Sequence, residues 1–220
     1  LTDLAEADAE TRYDGIATRY VVDYGRWNRQ EVIDLGQSFR FEPGYTQGRD
    51  AGTLSLIGLG AVSLAADIQG GTVTGALQRE SGAAPRGATL RLGRDGVAGD
   101  YKLNQNVVFD RAAVDDAATL ALSPELLGEG RIAHLEVFTN KALEVREALR
   151  TAAGGSVALT ARRLQVGADI EATGGAIELS ARANAVDTSP LPLDIELAAG
   201  ATLAARGGWV NELPGMGADL

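Results

Sequence analysis

The chain has 220 residues, which suits one domain or one elongated array of repeats. It lacks cysteine, so disulfides, thiolate metal sites and cysteine nucleophiles are excluded. The formal net charge of −10 argues against binding to nucleic acid or to anionic membrane surfaces. Because 5% of the residues are aromatic while 28 are glycine, we expect a narrow interior filled by small aliphatic side chains. No apolar run approaches the length of a membrane-spanning helix.

Residues 1–50 predict an irregular lead-in that joins the repeats of residues 51–220. The acidic start of the chain, as far as Arg12, indicates a short helix or a frayed end. Residues 20–24 are rich in valine and tyrosine, which favours a strand. From Gln30 to Gly48 the sequence is polar and irregular, so we expect an excursion loop there.

Short apolar runs separated by turn residues continue along the middle of the chain. Residues 80–87 contain glycine and proline and predict a loop. Ser123 followed by Pro124, with Gly128 beyond, is typical of a capped helix of one or two turns. Strands are expected at residues 53–56, 88–92, 106–109, 119–122 and 135–138.

The clearest pattern is a repeat between residues 154 and 181. The sequence reads GGSVALTA at 154–161 and GGAIELSA at 174–181, a spacing of 20 residues. A second template, LQVGADIEA at 164–172, returns as VSLAADIQG at 62–70 and as LAAGATLAA at 197–205. Alternate residues of a strand lie on one face, so the apolar pairs in these copies face inward together. A fixed period of this kind predicts an all-β fold of stacked coils, a β-solenoid with parallel sheets.

This prediction leaves two local choices and one alternative fold. Residues 141–150 also fit an amphipathic helix, but we predict strand because they align with the copy at 164–172. A loop at 184–192 lengthens the period that contains it. The alternative fold is an antiparallel sandwich of short strands with glycine turns. The repeated order of strand types favours the solenoid.

The two glycine-pair repeats resemble those of filamentous haemagglutinin-family exoproteins. Residues 50–56 (DAGTLSL), 61–71 (AVSLAADIQGG) and 122–127 (LSPELL) are similar to the later, large-exoprotein portion of that family. The resemblance implies a right-handed parallel β-helix with loop and short-helix excursions. It also implies secretion by a Gram-negative bacterium, through the periplasm and an outer-membrane two-partner secretion transporter, and adhesion to host cells at the bacterial surface.

Further expectations follow from this resemblance. The sequence has no Asn-Pro-Asn-Gly, so the family's amino-terminal secretion module is not seen and we expect a shaft segment of a longer polypeptide. Residues 1–4 have neither a basic region nor a long apolar run, so we do not expect a signal peptide in them. No receptor-binding residue of the family carries over, which leaves the receptor open as a host glycan or protein. We expect no cofactor, no metal site and no catalysis.

Few ionisable side chains stand out as candidates for a site. His134, the single histidine, is expected to be structural or solvent-facing, since the sequence supports neither a Ser-His-Asp triad nor a two-histidine metal site. Asp67 and Asp169 occupy the same template position. We interpret both as turn residues whose carboxylates accept hydrogen bonds from nearby backbone amides.

Three aromatic residues are the candidates for contact with a host glycan or protein: Trp27, Tyr45 and Trp209. Their other interpretation is that they cap coils or cover sheet edges. The alternative function is a glycan-active or glycan-binding β-helix, similar to polysaccharide lyases or glycosidases, in which clustered acids act on one sheet face. That alternative predicts three or more acids converging in one groove beside an arginine or lysine.

Overall fold

The computed structural model describes residues 6–8, 10–12, 19–34, 45–58, 62–80, 82–94, 102–112, 114, 116–182 and 190–208, with residues 79 and 80 described by their backbone only. Residues 35–44 of the predicted excursion and residues 184–189 of the predicted loop lie outside this description. The chain divides into two compact units, Leu1–Gly44 and Tyr45–Leu220, and each is described by itself.

The first unit contains an antiparallel hairpin. Strand β1 (Arg19–Tyr24) pairs with β2 (Arg29–Asp34). The connection is a 3-10 turn at Gly25–Trp27, followed by Asn28 in the left-handed conformation, which asparagine tolerates better than most residues. The strand predicted here is confirmed. The excursion predicted from Gln30 is wrong at its start, because the polar residues of β2 gain backbone partners on β1.

The second unit is mostly β, and its strands form three sheets. Every strand pair in the described part of these sheets is parallel, so the antiparallel-sandwich alternative is wrong for them. The strands are β3 (Thr53–Leu56), β4 (Ala88–Leu92), β5 (Asn106–Phe109), β6 (Thr119–Leu122), β7 (Ile132–Phe138), β8 (Ala142–Val145), β9 (Leu149–Arg150), β10 (Ser156–Ala161), β11 (Arg163–Val166), β12 (Ile170–Glu171), β13 (Ala176–Ala181), β14 (Asp194–Leu197) and β15 (Leu203–Ala204).

The chain visits the three sheets repeatedly and in the same order. The first sheet has the strand order β13-β10-β7-β4-β3, the second β14-β11-β8-β5-β6 and the third β15-β12-β9. From residue 132 onward the chain runs through the first, second and third sheets three times. We name these traverses the first pass (residues 132–153), the second pass (154–173) and the third pass (174–204).

The passes stack in the predicted register. Ser156 of the second pass pairs with Ala176 of the third, which is the spacing of the two glycine-pair repeats. Leu164 pairs with Leu143 of the first pass, and Ile170 pairs with Leu149 at the same offset. The strand interpretation of residues 141–150 is therefore confirmed, because their apolar positions continue the rows of the second pass instead of forming a helical stripe.

The third pass departs from the predicted template. The template aligns Leu197 with Leu164, but the structure pairs Leu164 with Ile195 and Val166 with Leu197. The predicted register returns later, where Ile170 pairs with Leu203 as the template requires. The two extra residues are accommodated between β14 and β15, where Gly200 adopts a φ of +92° that favours glycine. The predicted alignment is thus wrong by two residues at its start and right at its end.

The copy predicted at residues 62–70 is not a strand in the described chain. Val62, Leu64 and Ile68 are partly buried and pack against the hydrophobic core. The apolar spacing of the template is therefore used for burial without sheet pairing. The strands predicted at the five positions between residues 53 and 138 are all found.

Two short helical segments complete the second unit. The sequence did not indicate α1 (Ala76–Glu80), whose last residue lies within the predicted 80–87 loop. The predicted capped helix is found as a 3-10 turn at Pro124–Leu126, where the Ser123 hydroxyl accepts a hydrogen bond from the Glu125 amide at 3.3 Å. None of the helices in the described ranges has the length and apolar character needed to cross a membrane.

The glycine pairs that open the repeats are required by the backbone. Gly154 and Gly174, the first members, have positive φ angles of 76° and 66°. The second members, Gly155 and Gly175, have no room for a side chain, since a Cβ atom on Gly175 would overlap the carbonyl oxygen of Gly155. The two glycines of each pair therefore serve different purposes, a left-handed turn and a close approach of successive passes.

The core of this unit draws on all three sheets. Alternate residues of β8 and β11 are buried, whereas β7 and β10 also bury several consecutive residues. The fully buried side chains include Leu90, Leu135, Leu143, Leu159, Leu164 and Ile170. The residues between them face outward and are available for polar contacts.

Candidate functional site

A groove lies on the outward face of the second sheet. The alternation that buries every second residue of β8 and β11 turns Glu144, Arg163 and Gln165 outward. Parallel pairing places Gln165 beside Glu144 and Arg163 beside Ala142. Outward side chains of neighbouring strands therefore form rows that run across the sheet.

The groove has a volume of about 410 Å3, within the range of small-molecule sites. Glu144, Arg163 and Gln165 line it from the sheet. Asp116 and Leu191 line it from the segments beside the sheet. Its lining therefore combines carboxylates, guanidinium groups and side-chain amides with a few aliphatic carbons.

Arg146, just beyond β8, also lines the groove and is held by carboxylates. Its guanidinium lies 2.6 Å from Glu144 and 3.7 Å from Asp110. The hydrogen bond and the attraction of Glu144 raise the pKa of Arg146 above its ordinary value. Arg146 and Glu144 thus form a charged, mutually oriented pair at the edge of the groove.

Arg163 makes looser contacts than Arg146. Its Nη2 lies 3.3 Å from Glu196 Oε2, while its Nε lies 3.6 Å from Asp194 Oδ1, beyond hydrogen-bond distance. Both Arg163 Nε and Asp194 Oδ1 are buried atoms without a hydrogen-bond partner among the described residues. Gln165 Nε2 donates to Glu196 Oε2 at 2.9 Å. The donors of Arg163 are therefore only partly used.

The outward face of the first sheet offers a contrasting arginine. Arg91 Nε and Nη2 donate to the two carboxylate oxygens of Glu136 at 2.5 and 3.1 Å. This hydrogen bonding raises the pKa of Arg91. Arg91 and Glu136 thus form a bidentate ion pair, in which both carboxylate oxygens accept a hydrogen bond. We compare the contacts of Arg163 with those of this pair.

Asp116 is a turn residue at the entrance to β6. Its Oδ1 accepts from the Ala118 amide at 2.9 Å, and its Oδ2 accepts from the Thr119 hydroxyl at 2.6 Å. The hydrogen bond from Thr119 is the main cause of the lowered pKa of Asp116. The carboxylate therefore fixes the loop that borders the groove, and it remains charged at neutral pH.

His134 is buried in the outward row of β7 and contacts two side chains. Arg86 Nε donates to His134 Nε2 at 3.2 Å, and His134 Nδ1 lies 2.9 Å from the Ser156 hydroxyl oxygen. A guanidinium only donates, so the neutral imidazole carries its proton on Nδ1 and donates it to Ser156. Burial, followed by the charge of Arg86, lowers the pKa of His134.

This tautomer bears on the chemistry of the Ser156–His134 pair. The lone pair of the imidazole faces Arg86, so His134 is not oriented to accept a proton from the Ser156 hydroxyl. The pair therefore lacks the geometry of an activated serine nucleophile. The predicted structural interpretation of His134 agrees with its burial and with its two polar partners.

The two template aspartates differ from each other and from the prediction. Asp169 Oδ1 accepts from the Thr202 amide at 2.8 Å, which is a backbone amide of the third pass and not a neighbour in sequence. Asp67 contacts two side chains, the amide of Gln69 and the guanidinium of Arg131. These contacts lower the pKa of Asp67. The prediction is right for Asp169 in the type of partner, a backbone amide, although the amide comes from the third pass, and it is wrong for Asp67, whose partners are the side chains of Gln69 and Arg131.

Two of the three aromatic candidates lie within the described residues, one in each unit. Trp27 is 71% exposed at the hairpin tip, with its ring 6.3 Å from that of Tyr24 and beneath the Arg26 guanidinium at 6.0 Å. Tyr45 is 54% exposed in the second unit. Trp209 lies outside the described residues. Trp27 and Tyr45 are therefore exposed aromatic side chains, each in its own unit.

The acids of the groove can be compared with the glycan-active alternative. Asp116 and Glu144 line the groove together with two arginines. In the described ranges, no three His, Asp or Glu side chains are grouped so that they could hold a metal ion. Glu144 thus faces the Arg146 guanidinium at short range, whereas Asp116 accepts hydrogen bonds from its own loop.

Sequence reasoning did not identify the groove residues Arg146, Arg163 and Gln165. The signal was present in the repeat itself. The offset that aligns Leu143 with Leu164 also aligns Glu144 with Gln165 on the opposite face. Following the outward residues of the template, as well as the inward ones, would have placed Gln165 in one row with Glu144, and Arg163 in the next row.

Known proteins offer no direct assignment for this groove. No protein-family model matches the chain, and neither a curated protein nor a solved structure matches it. The function is therefore argued from the residues and from their arrangement.

Proposed function

We propose that this chain is a structural and adhesive segment of a secreted bacterial surface exoprotein of the filamentous haemagglutinin type. In this role the three parallel sheets wind as a right-handed β-helix. The passes form a shaft that carries a binding surface away from the bacterial cell and attaches it to host cells. The segment performs no catalysis. The repeats GGSVALTA and GGAIELSA, which resemble those of that family, support the assignment.

The observation that carries the proposal is the in-register stacking of three passes through the same three sheets. Each added pass lengthens such a stack by about 4.8 Å, the spacing of neighbouring strands. Stability accumulates from contacts between neighbouring passes, so a shaft of any length is built from one local rule. These properties suit a spacer better than a compact enzyme.

Export through an outer-membrane two-partner secretion transporter is the second part of the proposal. A chain whose passes contact only their neighbours can fold progressively as it emerges from a pore. The absence of cysteine removes any need for disulfide formation during passage through the periplasm. Folding at the cell surface then draws the remaining chain outward without an external energy source.

Adhesion is tested by coating beads with the purified chain and counting the beads retained on cultured epithelial cells. We expect retention above that of beads coated with an unrelated acidic protein of similar size. Retention equal to that control, for a chain whose circular dichroism spectrum shows folded β-structure, would contradict the adhesive role. A protein receptor and a glycan receptor are separated by treating the cells with protease or with glycosidases.

Export is tested independently by fusing the chain behind a two-partner secretion module and co-expressing the matching transporter. We expect the fusion in the culture medium or on the cell surface. The control is the module alone, which reports that the transporter works. Retention of the fusion in the periplasm while the module alone is exported would contradict the secretion part of the proposal.

A glycan-active enzyme is the second candidate, because the groove brings two of the predicted three or more acids beside arginines. Its carboxylates, Asp116 and Glu144, would act as the acid and base of glycoside cleavage. Incubation of the chain with a panel of plant, fungal and bacterial polysaccharides tests this candidate. New reducing ends or unsaturated products that disappear in Glu144→Gln would favour the enzyme over the adhesin.

A further inference from the structure

We infer that the groove on the outward face of the second sheet binds a neutral oligosaccharide. The inference rests on the proposed adhesive function and names the ligand class for one site of it. The groove crosses β5, β8 and β11, and neighbouring strands lie about 4.8 Å apart. That spacing is close to the length of one pyranose ring, so consecutive strands present polar groups to consecutive sugars.

The hydrogen-bonding groups of the groove match sugar hydroxyls. A hydroxyl both donates and accepts, and the groove offers guanidinium donors on Arg146 and Arg163, carboxylate acceptors on Asp116 and Glu144, and the Gln165 amide, which does both. Adjacent donors and acceptors of this kind hold vicinal hydroxyls in pairs. An apolar ligand would leave these groups without partners and is therefore disfavoured.

Arg163 has capacity left for a ligand. Of its five N–H groups, one on Nη2 contacts Glu196 at 3.3 Å and the Nε–H is buried beside Asp194, so the donors left for a ligand are those on Nη1 and Nη2. Arg91 on the first sheet differs, because its two-point contact with Glu136 is already formed at 2.5 and 3.1 Å. Both arginines are outward-facing strand residues, Arg91 in β4 of the first sheet and Arg163 in β11 of the second, and the one in the groove has the less complete set of hydrogen bonds.

The charge around the groove selects against anionic ligands. Two guanidinium groups, on Arg146 and Arg163, face more carboxylates than they neutralise. Five carboxylates lie in the groove or pair with these arginines: Asp110, Asp116, Glu144, Asp194 and Glu196. The local formal charge of two positive and five negative groups is −3, and the whole chain carries −10. A sulfated or uronic-acid glycan would be repelled, whereas a neutral one would not.

The groove is held in shape before any ligand arrives. Glu144, Arg163 and Gln165 rise from strands whose inward neighbours are fully buried. The bordering loop is fixed by the two hydrogen bonds that Asp116 accepts. Polar groups mounted on paired strands lose little freedom on binding, which favours recognition of a weakly binding, hydrated ligand.

The inference is tested by titrating the purified full chain with neutral, anionic and cationic oligosaccharides of matched length. The neutral probes are cellotetraose, maltotetraose and mannotetraose, the anionic probe is a heparin tetrasaccharide, and the cationic probe is a chitosan tetramer. Nuclear magnetic resonance follows the side-chain amide of Gln165 and the Nε–H of Arg163. We expect at least one neutral probe to shift these signals saturably, with no comparable effect of the heparin probe.

Two substitutions in the groove are compared with one outside it. Gln165→Ala and Arg163→Ala are each expected to weaken binding of the neutral probe about tenfold, the loss typical of a hydrogen bond to a charged or strongly polar group. Arg91→Ala removes the same type of side chain from the first sheet and is expected to leave affinity unchanged. Thermal melting confirms folding, and Gln165→Ala carries the test if Arg163→Ala does not fold.

Several outcomes would overturn the inference. They are the failure of all neutral probes to bind, preference for heparin or chitosan, or affinity that Gln165→Ala leaves unchanged. The bead assay tests the adhesive function independently of the sugar titration. Beads that adhere equally well with Gln165→Ala would sink the groove as the binding site while the adhesive function stands, whereas a groove that binds sugar on a chain that never adheres would do the reverse.

Discussion

The second and third passes have similar sequences but different environments. In the second pass the inward residues Leu164, Val166 and Ile170 are 0–1% exposed. Their partners in the third pass are much more accessible: Ile195 is 42% exposed, Leu197 51% and Leu203 40%. The apolar template is thus present in both passes, yet its inward residues are closed off in the second pass, which lies between the first and third, and stay accessible in the third. Burial in this fold belongs to the stack and is not a property of one pass.

The comparison also separates two kinds of contact within a pass. Each pass contributes one residue to an inward row. The burial of that side chain therefore depends on the passes above and below it. Corner contacts, such as the backbone approach of Gly175 to Gly155, act between two passes only. The stability contributed by an inward side chain should therefore fall from the second pass to the third. The stability contributed by a corner contact should depend only on whether the two passes that form it are both present.

Truncation of an inward leucine tests the first kind and has the largest expected effect. Leu164→Ala removes a fully buried side chain and should lower the free energy of unfolding by about 2–5 kcal/mol. Leu197→Ala, on the neighbouring strand of the same sheet, should lower it by less than about 1 kcal/mol because half of that side chain is already exposed. Urea unfolding followed by circular dichroism measures both. Equal losses at the two positions would break the comparison.

Substitution of a glycine tests the corner contact. Gly175→Ala places a Cβ against the Gly155 carbonyl and should cost about 1–3 kcal/mol, the range of an overpacked position. Gly208 lies at the equivalent point after the third pass, where a Cβ would be 3.8 Å from the nearest atom, the Thr173 methyl. Gly208→Ala should therefore be close to neutral. Thermal melting of the two variants checks this, and a larger loss for Gly208→Ala would contradict it.

Removal of one carboxylate tests the link between the second and third passes. Asp169→Ala deletes the acceptor for the Thr202 amide and should cost about 0.5–1.5 kcal/mol. The local readout is hydrogen exchange, which should accelerate at Thr202 while the Leu164 amide in the second pass remains protected. Asp67→Ala is the control, since Asp67 contacts Gln69 and Arg131 instead of the third pass. Uniform acceleration throughout the second unit would contradict the local role.

The sequence predicted some of the secondary-structure elements and missed others, and the physical reason differs from one element to the next. The strands at Leu143 and Leu164 were predictable because inward residues recur at one offset, and repetition supplies long-range information that a single strand lacks. Strand β2 was missed because its residues are polar, so backbone pairing alone defines it. Helix α1 is a short segment and was not signalled by any apolar period.

The groove was missed for a different reason. Its side chains come from successive strands of one sheet, which are distant in the chain, and from the segment around Asp116, and they meet only after the sheet is assembled. The two-residue slip before Leu203 shows the same limit, because template matching aligns letters while the sheet aligns backbone hydrogen bonds. Outward polar residues do not form a recurring apolar pattern in the sequence. Their neighbours can therefore be assigned only after the strand register is known.

Acidification tests the comparison on the outward face of the first sheet. His134 in the first pass lies in a row between Thr89 and Ser156, whereas the same row ends at Ala176 in the third pass. Burial and the charge of Arg86 lower the pKa of His134 below its ordinary value of 6.5, and the attraction of Glu136 opposes them only in part. The unfolded chain therefore binds this proton at a higher pH than the folded chain does.

The stability that neutral His134 contributes should be complete above pH 6.5 and should be lost as the pH falls through 6.5 toward the lower pKa of the folded chain. His134→Gln keeps a neutral side chain that can accept from Arg86 and donate to Ser156, so it should remove this loss. The difference between the two unfolding free energies, measured from about pH 7.5 to about pH 5, cancels the carboxylates that titrate in both proteins. If the difference in unfolding free energy does not change with pH, or favours the histidine at low pH, the pKa of His134 is not lowered by folding. The environment of His134 in the first pass would then be no different from that of an accessible side chain.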